Sequence, residues 1–365
     1  MKKINIIGAG ASGMSSAIYL KSRNNDLDIT IYEADDRIGR KILKTGSGKC
    51  NISNTLITPY GYNNQEFISE VLNNVSMVEV YRFIEDELGI MLKSDSEGRL
   101  YPFSESAKSV VDSFKRRLEE LKIKIIYNCS VEKYNQEEIY IFACGSKAQS
   151  NFNGYQLVKD LGHTISNLIP GLVPIKIKEK IPHLRGIRVK CKAKIINKKD
   201  ILYEDIGEIL FKDDALSGIL AMDLSRYYSQ GSFISLDLVY EKSLEELNTY
   251  FNKHKKMGRT EEEILLGMFP KMVAMEILKR KEDVVFTSKN FSFTAIGLNG
   301  FNQAQIAVGG VNVNEVNNHC NSIIMKNAYI IGEMLDVDGK CGGYNLSFAF
   351  LSALATAKDI LKKID

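Results

Sequence analysis

Several signals are missing from this chain, and each absence removes a class of protein. The six cysteines (Cys50, Cys129, Cys144, Cys191, Cys320 and Cys341) are scattered, and none form a C-x-x-C pair. That spacing offers neither a zinc site nor a secreted disulfide framework, and it suits free thiols in a reducing compartment. No stretch approaches the ~18 apolar residues of a membrane span. The opening apolar run, Ile4 to Ile7, breaks at Gly8, short of the ~7–15 residues of a signal-peptide core. A cytoplasmic protein without a membrane partner is expected. Charge of one sign is also lacking: a net +3 over 365 residues provides no bulk attraction to nucleic acid or lipid. The four histidines (His163, His183, His254 and His319) share no ligand or triad spacing, so no metal is expected. Internal repeats and low-complexity linkers are absent too.

What is present is ordinary globular material. Hydrophobic residues make up 44% and charged residues 25% of the chain, enough for sizeable cores. The length suggests two or three domains at about 150 residues each. Residues 3–7 read as a buried strand and residues 14–22 as a helix with an apolar face. Residues 28–32 read as a second strand, which makes a strand–helix–strand unit with a right-handed crossover. Residues 66–90 and 105–121 look helical, and 123–127 and 139–143 look like strands. After residue 171 the pattern turns to short segments of period-two alternation, the mark of half-exposed antiparallel sheet. A helical stretch over 243–281 follows, and strands return from 284. The last part reads as a strand at 328–331, a glycine-rich loop at 339–345 and a final helix.

These elements predict an α/β fold, with a Rossmann-type nucleotide-binding domain built from both chain ends (1–170 and 308–365). A β-barrel-like domain (171–242 and 282–307) interrupts it and carries a helical insert (243–281).

The chemistry begins at Gly8-x-Gly10-x-x-Gly13, between the first strand and the first helix. The first glycine allows the tight turn, the second lets backbone approach a pyrophosphate, and the third lets helix and strand pack closely. Glu33 ends the next strand, twenty residues beyond Gly13, where a carboxylate accepts hydrogen bonds from ribose hydroxyls. Together they indicate an adenine dinucleotide. At the far end, Gly332-Glu333 follows a buried strand, and Gly339 to Asn345 leads into the last helix. A long redox cofactor could be held at its adenylate by the first motif and at its ribityl chain by Glu333. Its ring would lie at the positive end of the last helix, which favours charge on a reduced flavin.

At this point the sequence resembles the BaiN/YhiN-type flavoproteins, the aminoacetone-oxidase-family FAD-binding enzymes. The resemblance rests on Gly39-Arg40-Lys41 with Thr45-Gly46-Ser47-Gly48-Lys49-Cys50-Asn51, on Gly98-Arg99-Leu100-Tyr101-Pro102-Phe103-Ser104, on Gly300 to Gln305 with Gly309-Gly310-Val311, and on Gly332 to Asn345. It runs from end to end and implies FAD on a two-segment domain beside a β domain with a helical insert. The candidate cofactor residues are Gly8, Gly10, Ala11, Ser12, Gly13, Glu33, Arg40, Lys41, Gly48, Ala143, Gly145, Gly332, Glu333, Asp338, Gly343, Tyr344, Asn345 and Leu346. Two segments depart from the family pattern, Ala143-Cys144-Gly145-Ser146 and Gly207 to Ile219, so the substrate is not inherited. The family places Cys50 and Cys341 near the flavin, as redox-active groups or as small buried thiols.

The expected activity is FAD-dependent reduction of an activated C=C bond, with NAD(P)H as a transient donor. Candidate substrates are a conjugated enone or a uridine of large-subunit ribosomal RNA, giving dihydrouridine. A flavin amine oxidase and a non-catalytic RNA-binding flavoprotein are the alternatives. Between Lys176 and Lys199 lie ten basic residues and one acidic, Glu179. Lys190, Lys192 and Lys194 alternate onto one strand face, a candidate phosphate-backbone contact or a solvated lysine face. The catalytic residues are not legible.

Overall fold

The computed structural model describes residues 3–148 and 154–364 and divides into two compact units. The first comprises Met1–Ile169 and Gln305–Asp365, the second Pro170–Ala304.

The first unit is built on a five-stranded, all-parallel sheet. Its spatial order is Ala328–Ile330, Ile139–Phe142, Lys3–Ile7, Asp28–Tyr32, Lys124–Ile126. Lys3–Ile7 is the central strand, with Ile4 and Ile6 wholly buried, as expected where helices cover both faces. The first helix, Ala11–Arg23, begins inside the glycine motif, three residues before the apolar periodicity does. Residues 66–90 hold Gln65–Asn74 and Met77–Arg82, the latter opened by a Ser76/Glu79 capping box, followed by one wider turn.

The last helix, Tyr344–Ile364, starts two residues earlier than the glycine-loop reading placed it. It is buried nearly all round from Ser347 to Ala357, so it is a core helix and not a surface one. Phe350 packs on Phe83 and Phe114, with ring centroids 6.3 and 6.4 Å away. A small antiparallel sheet, ordered Ser53–Asn54, Arg99–Pro102, Leu92–Ser94, supports the amino end of this helix.

The second unit is a closed six-stranded barrel. The order around it is Arg188–Asn197, Asp200–Phe211, Ala215–Ser217, Ile175–Ile177, Phe291–Leu298, Ser232–Asp237, each antiparallel to its neighbours. Cys191, Ala193 and Ile195 are buried and alternate with the lysines, as period two requires. Helices Leu244–Lys256, Glu261–Leu266 and Lys271–Lys279 form the insert. A fourth, Val284–Lys289, stands where strands were expected. The β-branched pair Val284-Val285 suggests a strand, but Asp283 accepts the Phe286 N–H at 2.7 Å and caps a helix. Extended structure returns only at Phe291.

A buried polar network ties the first unit together. His163 Nε2 lies 2.9 Å from Ser322 Oγ, and Nδ1 lies 2.9 Å from Glu315 Oε2. Ser322 Oγ accepts the N–H groups of Ile324 and Met325, so its proton goes to Nε2 and Nδ1–H donates to Glu315. Burial holds the His163 pKa below the ordinary imidazole value, although Glu315 pulls it upward. In acid the unfolded chain therefore binds a proton that the folded chain resists. This contribution is complete above an unfolded value of about 6.5 and is lost as pH falls below it. The melting temperature should drop between pH 7 and pH 5.5, and His163→Gln should flatten that slope. Parallel slopes in the two proteins, measured by thermal unfolding at constant ionic strength, would reject this assignment.

Candidate functional site

The five parallel strands run one way, so their carboxyl ends share an edge, and ligands of open α/β sheets bind at that edge. The Gly8 N–H donates to Tyr32 O at 2.8 Å, which fastens the glycine turn to the second strand. A Cβ on Gly13 would lie 2.0 Å from Gly8 O, and one on Gly8 would lie 2.5 Å from Ala143 O. These two positions exist for backbone packing. A Cβ on Gly10 would meet nothing within 4 Å. Gly10 is also the helix N-cap, and no side chain caps the helix there. The first-turn N–H groups of Ala11, Ser12 and Gly13 thus face a space free of side chains, with the positive helix end behind them.

Glu33 frames the same space. Its Oε2 accepts the Ala9 N–H at 2.7 Å and its Oε1 the Asp35 N–H at 2.9 Å. A carboxylate has roughly four acceptor positions, so two remain for ribose hydroxyls. These features fit the adenylate and pyrophosphate of a dinucleotide.

Glu333 lies on the loop after the edge strand Ala328–Ile330. Its Oε1 accepts Ser146 Oγ at 2.7 Å and Ala307 N–H at 3.2 Å, and its Oε2 pairs with Lys41. Lys41 therefore turns inward to a carboxylate, while its neighbour Arg40 pairs with Asp35 at 2.8 Å on the surface. Gly332 packs on Ser12: a Cβ there would lie 2.6 Å from Ser12 Oγ. Ser146, on the departing segment after Ala143, is a site residue the sequence reading passed over. Gly145 has φ +73°, and a Cβ on it would meet no atom within 4 Å.

A second group gathers at the amino end of the last helix. Gly343 has φ +96°, and a Cβ there would lie 2.1 Å from Ser53 O. Ser53 Oγ and Ser347 Oγ are 2.7 Å apart, and Asn54 Nδ2 donates to Gly342 O at 2.9 Å. Tyr62 donates to the Tyr344 carbonyl at 2.8 Å, and Tyr344 donates to Leu56 O at 3.0 Å. Asn345 is a loop staple: its Oδ1 accepts the Gly339 N–H and its Nδ2 donates to Gly339 O, both at 2.9 Å. Asp338 is buried, and its backbone is held by Asn63. Leu346 packs half-buried against the core. Gly48, at φ +87°, ends a kinked turn and has open space where a Cβ would be.

The lysine face of the barrel carries acidic partners. Lys190, Lys192 and Lys194 do share a face, but Lys192 and Lys194 both bind Glu204, at 2.9 and 3.5 Å, and Arg188 pairs with Glu208. The antiparallel register places those glutamates directly across. Of the two thiols, Cys50 is fully buried, and burial pushes its pKa up to about 11, which keeps it a protonated, weakly nucleophilic thiol. Cys341 is half-buried. Among the described residues there is no cluster suited to a metal ion, and no helix is long and apolar enough to cross a membrane.

A parallel sheet with a glycine turn open at its central glycine, and a carboxylate with acceptor positions to spare, fit a dinucleotide; with its family match and full-length relatives, the chain is an FAD-dependent oxidoreductase, an enzyme. The chain belongs to the HI0933-like protein family, whose Rossmann-domain profile matches residues 2–359. It is 32% identical to the 3-dehydro-bile acid delta(4,6)-reductase of Clostridium scindens, over 96% of this chain and 97% of that protein. It is 26% identical to the ribosomal RNA dihydrouridine synthase of Haemophilus influenzae over 98% of both chains. The ribosomal RNA dihydrouridine synthase of Escherichia coli is 24% identical, over 98% of this chain and 97% of that one.

Proposed function

We propose that this enzyme adds hydrogen across a carbon–carbon double bond conjugated to a carbonyl, with NAD(P)H as the electron donor and a small enone as the substrate. The observation that carries the reading is chemical. A bile-acid delta(4,6)-reductase and a dihydrouridine synthase, the names of its full-length relatives, both saturate a C=C bond in conjugation with C=O. The bound flavin supplies the hydride.

The chain's own part is to bind and orient. Gly8, Gly10, Ala11, Ser12, Gly13 and Glu33 would hold the adenylate and pyrophosphate, with Ala143 and Gly145 beside them and Arg40 at the rim. Gly332, Glu333 and Lys41 would hold the ribityl region. Asp338, Gly343, Tyr344, Asn345 and Leu346, with Gly48, would shape the seat of the ring. The positive end of a 21-residue helix favours electron density placed there, by an amount of about 0.3–2 kcal/mol.

A small enone is preferred to ribosomal RNA because Glu204 and Glu208 offset about half of the positive charge that Arg188, Lys190, Lys192 and Lys194 bring to the strand face. A uridine substrate keeps the support of two relatives. The test is anaerobic. NADPH should bleach the yellow protein, and a steroid 4-en-3-one should restore the colour faster than buffer alone. Return of colour with ribosomal RNA and not with the enone would transfer the assignment to uridine. Bleaching by aminoacetone but not by NADPH would make the enzyme an amine oxidase, and no bleaching by any donor would end the catalytic reading.

A further inference from the structure

The outer face of the barrel changes character along one strand. In Arg188–Asn197 the odd positions from Val189 to Ile195 are buried inside the barrel, so Arg188, Lys190, Lys192, Lys194 and Ile196 share the outward face. The basic run thus ends on an apolar residue. On one neighbouring strand Ile201 stands opposite Ile196. On the other, Ser235 stands opposite Lys194 and Asp237 opposite Lys192.

A groove of about 320 Å³ lies on this face, wholly within the second unit. Its floor is the strand surface from Lys192 and Lys194 to Ile196 and Ile201, and its walls are Leu244, Phe286 and Lys289 from two helices. Pockets for small molecules begin at about 300 Å³ and are mostly apolar, with a few placed polar groups. Ile201, Leu244 and Phe286 are each about half exposed. One such residue alone is ordinary, whereas several gathered in one groove mark a surface that something covers.

The charges in the groove do not cancel. Lys289 is spent within the wall: its Nζ lies 2.6 Å from Asp237 Oδ2 and donates to the carbonyls of Val239 and Lys242 at 3.2 and 2.6 Å. Lys192 and Lys194 share one carboxylate, Glu204, at 2.9 and 3.5 Å. A single positive charge is left over. Each ammonium has three donors, so both lysines keep N–H groups for a further acceptor.

We propose that this groove binds a small amphipathic carboxylate, its anionic end on Lys192 and Lys194 and its hydrocarbon along Ile196, Ile201, Leu244 and Phe286. One negative charge matches the surplus, and the hydrocarbon covers the exposed apolar lining. A nucleic-acid backbone engages the lysines and leaves the apolar residues in water, and a neutral lipid does the reverse. Only an amphipathic anion uses both. The site goes beyond the C=C reduction reading and does not depend on it.

The test uses the full-length, FAD-loaded protein, titrated by calorimetry with decanoate below its micelle concentration. Decanoate should bind saturably and raise the melting temperature. Decanol and decyltrimethylammonium keep the chain but change the head group, and they should bind at least ~10-fold more weakly. Lys192→Met combined with Lys194→Met should weaken decanoate by ~10-fold or more and leave decanol binding unchanged. Phe286→Ala should weaken both, and so should Ile201→Thr, a mild change in a strand. Melting temperatures without ligand show that each variant is folded. Three results would each overturn the site: no decanoate binding by wild type, equal affinity for decanoate and decanol, or decanoate binding that ignores the lysine or the apolar changes in folded variants. A short RNA that binds through Lys192 and Lys194 where decanoate does not would make this face a nucleic-acid contact and likewise end the proposal.

Discussion

Gly10→Val should yield a folded, colourless protein. The backbone at Gly10 has φ −81° and ψ −176°, an extended conformation that valine adopts readily. No atom lies within 4 Å of the position its Cβ would take, so the apoprotein should keep its stability to within about 1 kcal/mol. The isopropyl group would, however, fill the space in front of the first-turn N–H groups, where the pyrophosphate has to approach backbone. Loss of that approach should weaken FAD binding by ~100-fold or more, equivalent to about 3 kcal/mol. The checks are the ratio of flavin to protein absorbance after purification, a titration with FAD, and thermal unfolding of the flavin-free forms. A variant as yellow as wild type would show that the turn does not hold the pyrophosphate.

Gly343→Ala should fail in the opposite way, through the fold. Its φ of +96° lies outside the range that alanine favours, and the added Cβ would sit 2.1 Å from the Ser53 carbonyl oxygen. Positive φ costs about 1–3 kcal/mol, and the clash adds to it because the obstacle is backbone in a sheet. The amino end of the last helix would lift from Ser53–Asn54 and break the Asn54–Gly342 and Ser53–Ser347 hydrogen bonds. A loss of more than ~3 kcal/mol is expected, with FAD retention falling alongside it. Denaturant unfolding of the flavin-free protein measures it, and a midpoint equal to wild type would sink the claim. Gly10 and Gly343 therefore separate two uses of glycine, room for a ligand and room for the chain itself.

The features that read correctly from the sequence were local. The turn Gly8 to Gly13 and Glu33 lie within one strand–helix–strand unit, so their spacing encodes their geometry. The lysine alternation from Lys190 to Lys194 was equally legible, since period two places side chains on one face. The partial offset of its charge was legible too. The strands Arg188–Asn197 and Asp200–Phe211 are joined by a two-residue turn, and that hairpin register brings Glu204 and Glu208 across from the basic residues. At Val284–Lys289 the sequence reads as strand, and the Asp283 side chain, accepting the Phe286 N–H, caps a helix there instead.

By itself, the sequence determined the α/β class, the glycine turn, the division by a barrel, and the family resemblance, because short-range spacing and end-to-end motifs carry that information. Only the tertiary structure decided that Lys41 and Ser146 converge on Glu333 and that Ser53 seats Gly343. Those partners are separated by up to about 290 residues of chain. Their proximity comes from packing the two halves of a core around one helix, and no local pattern records it.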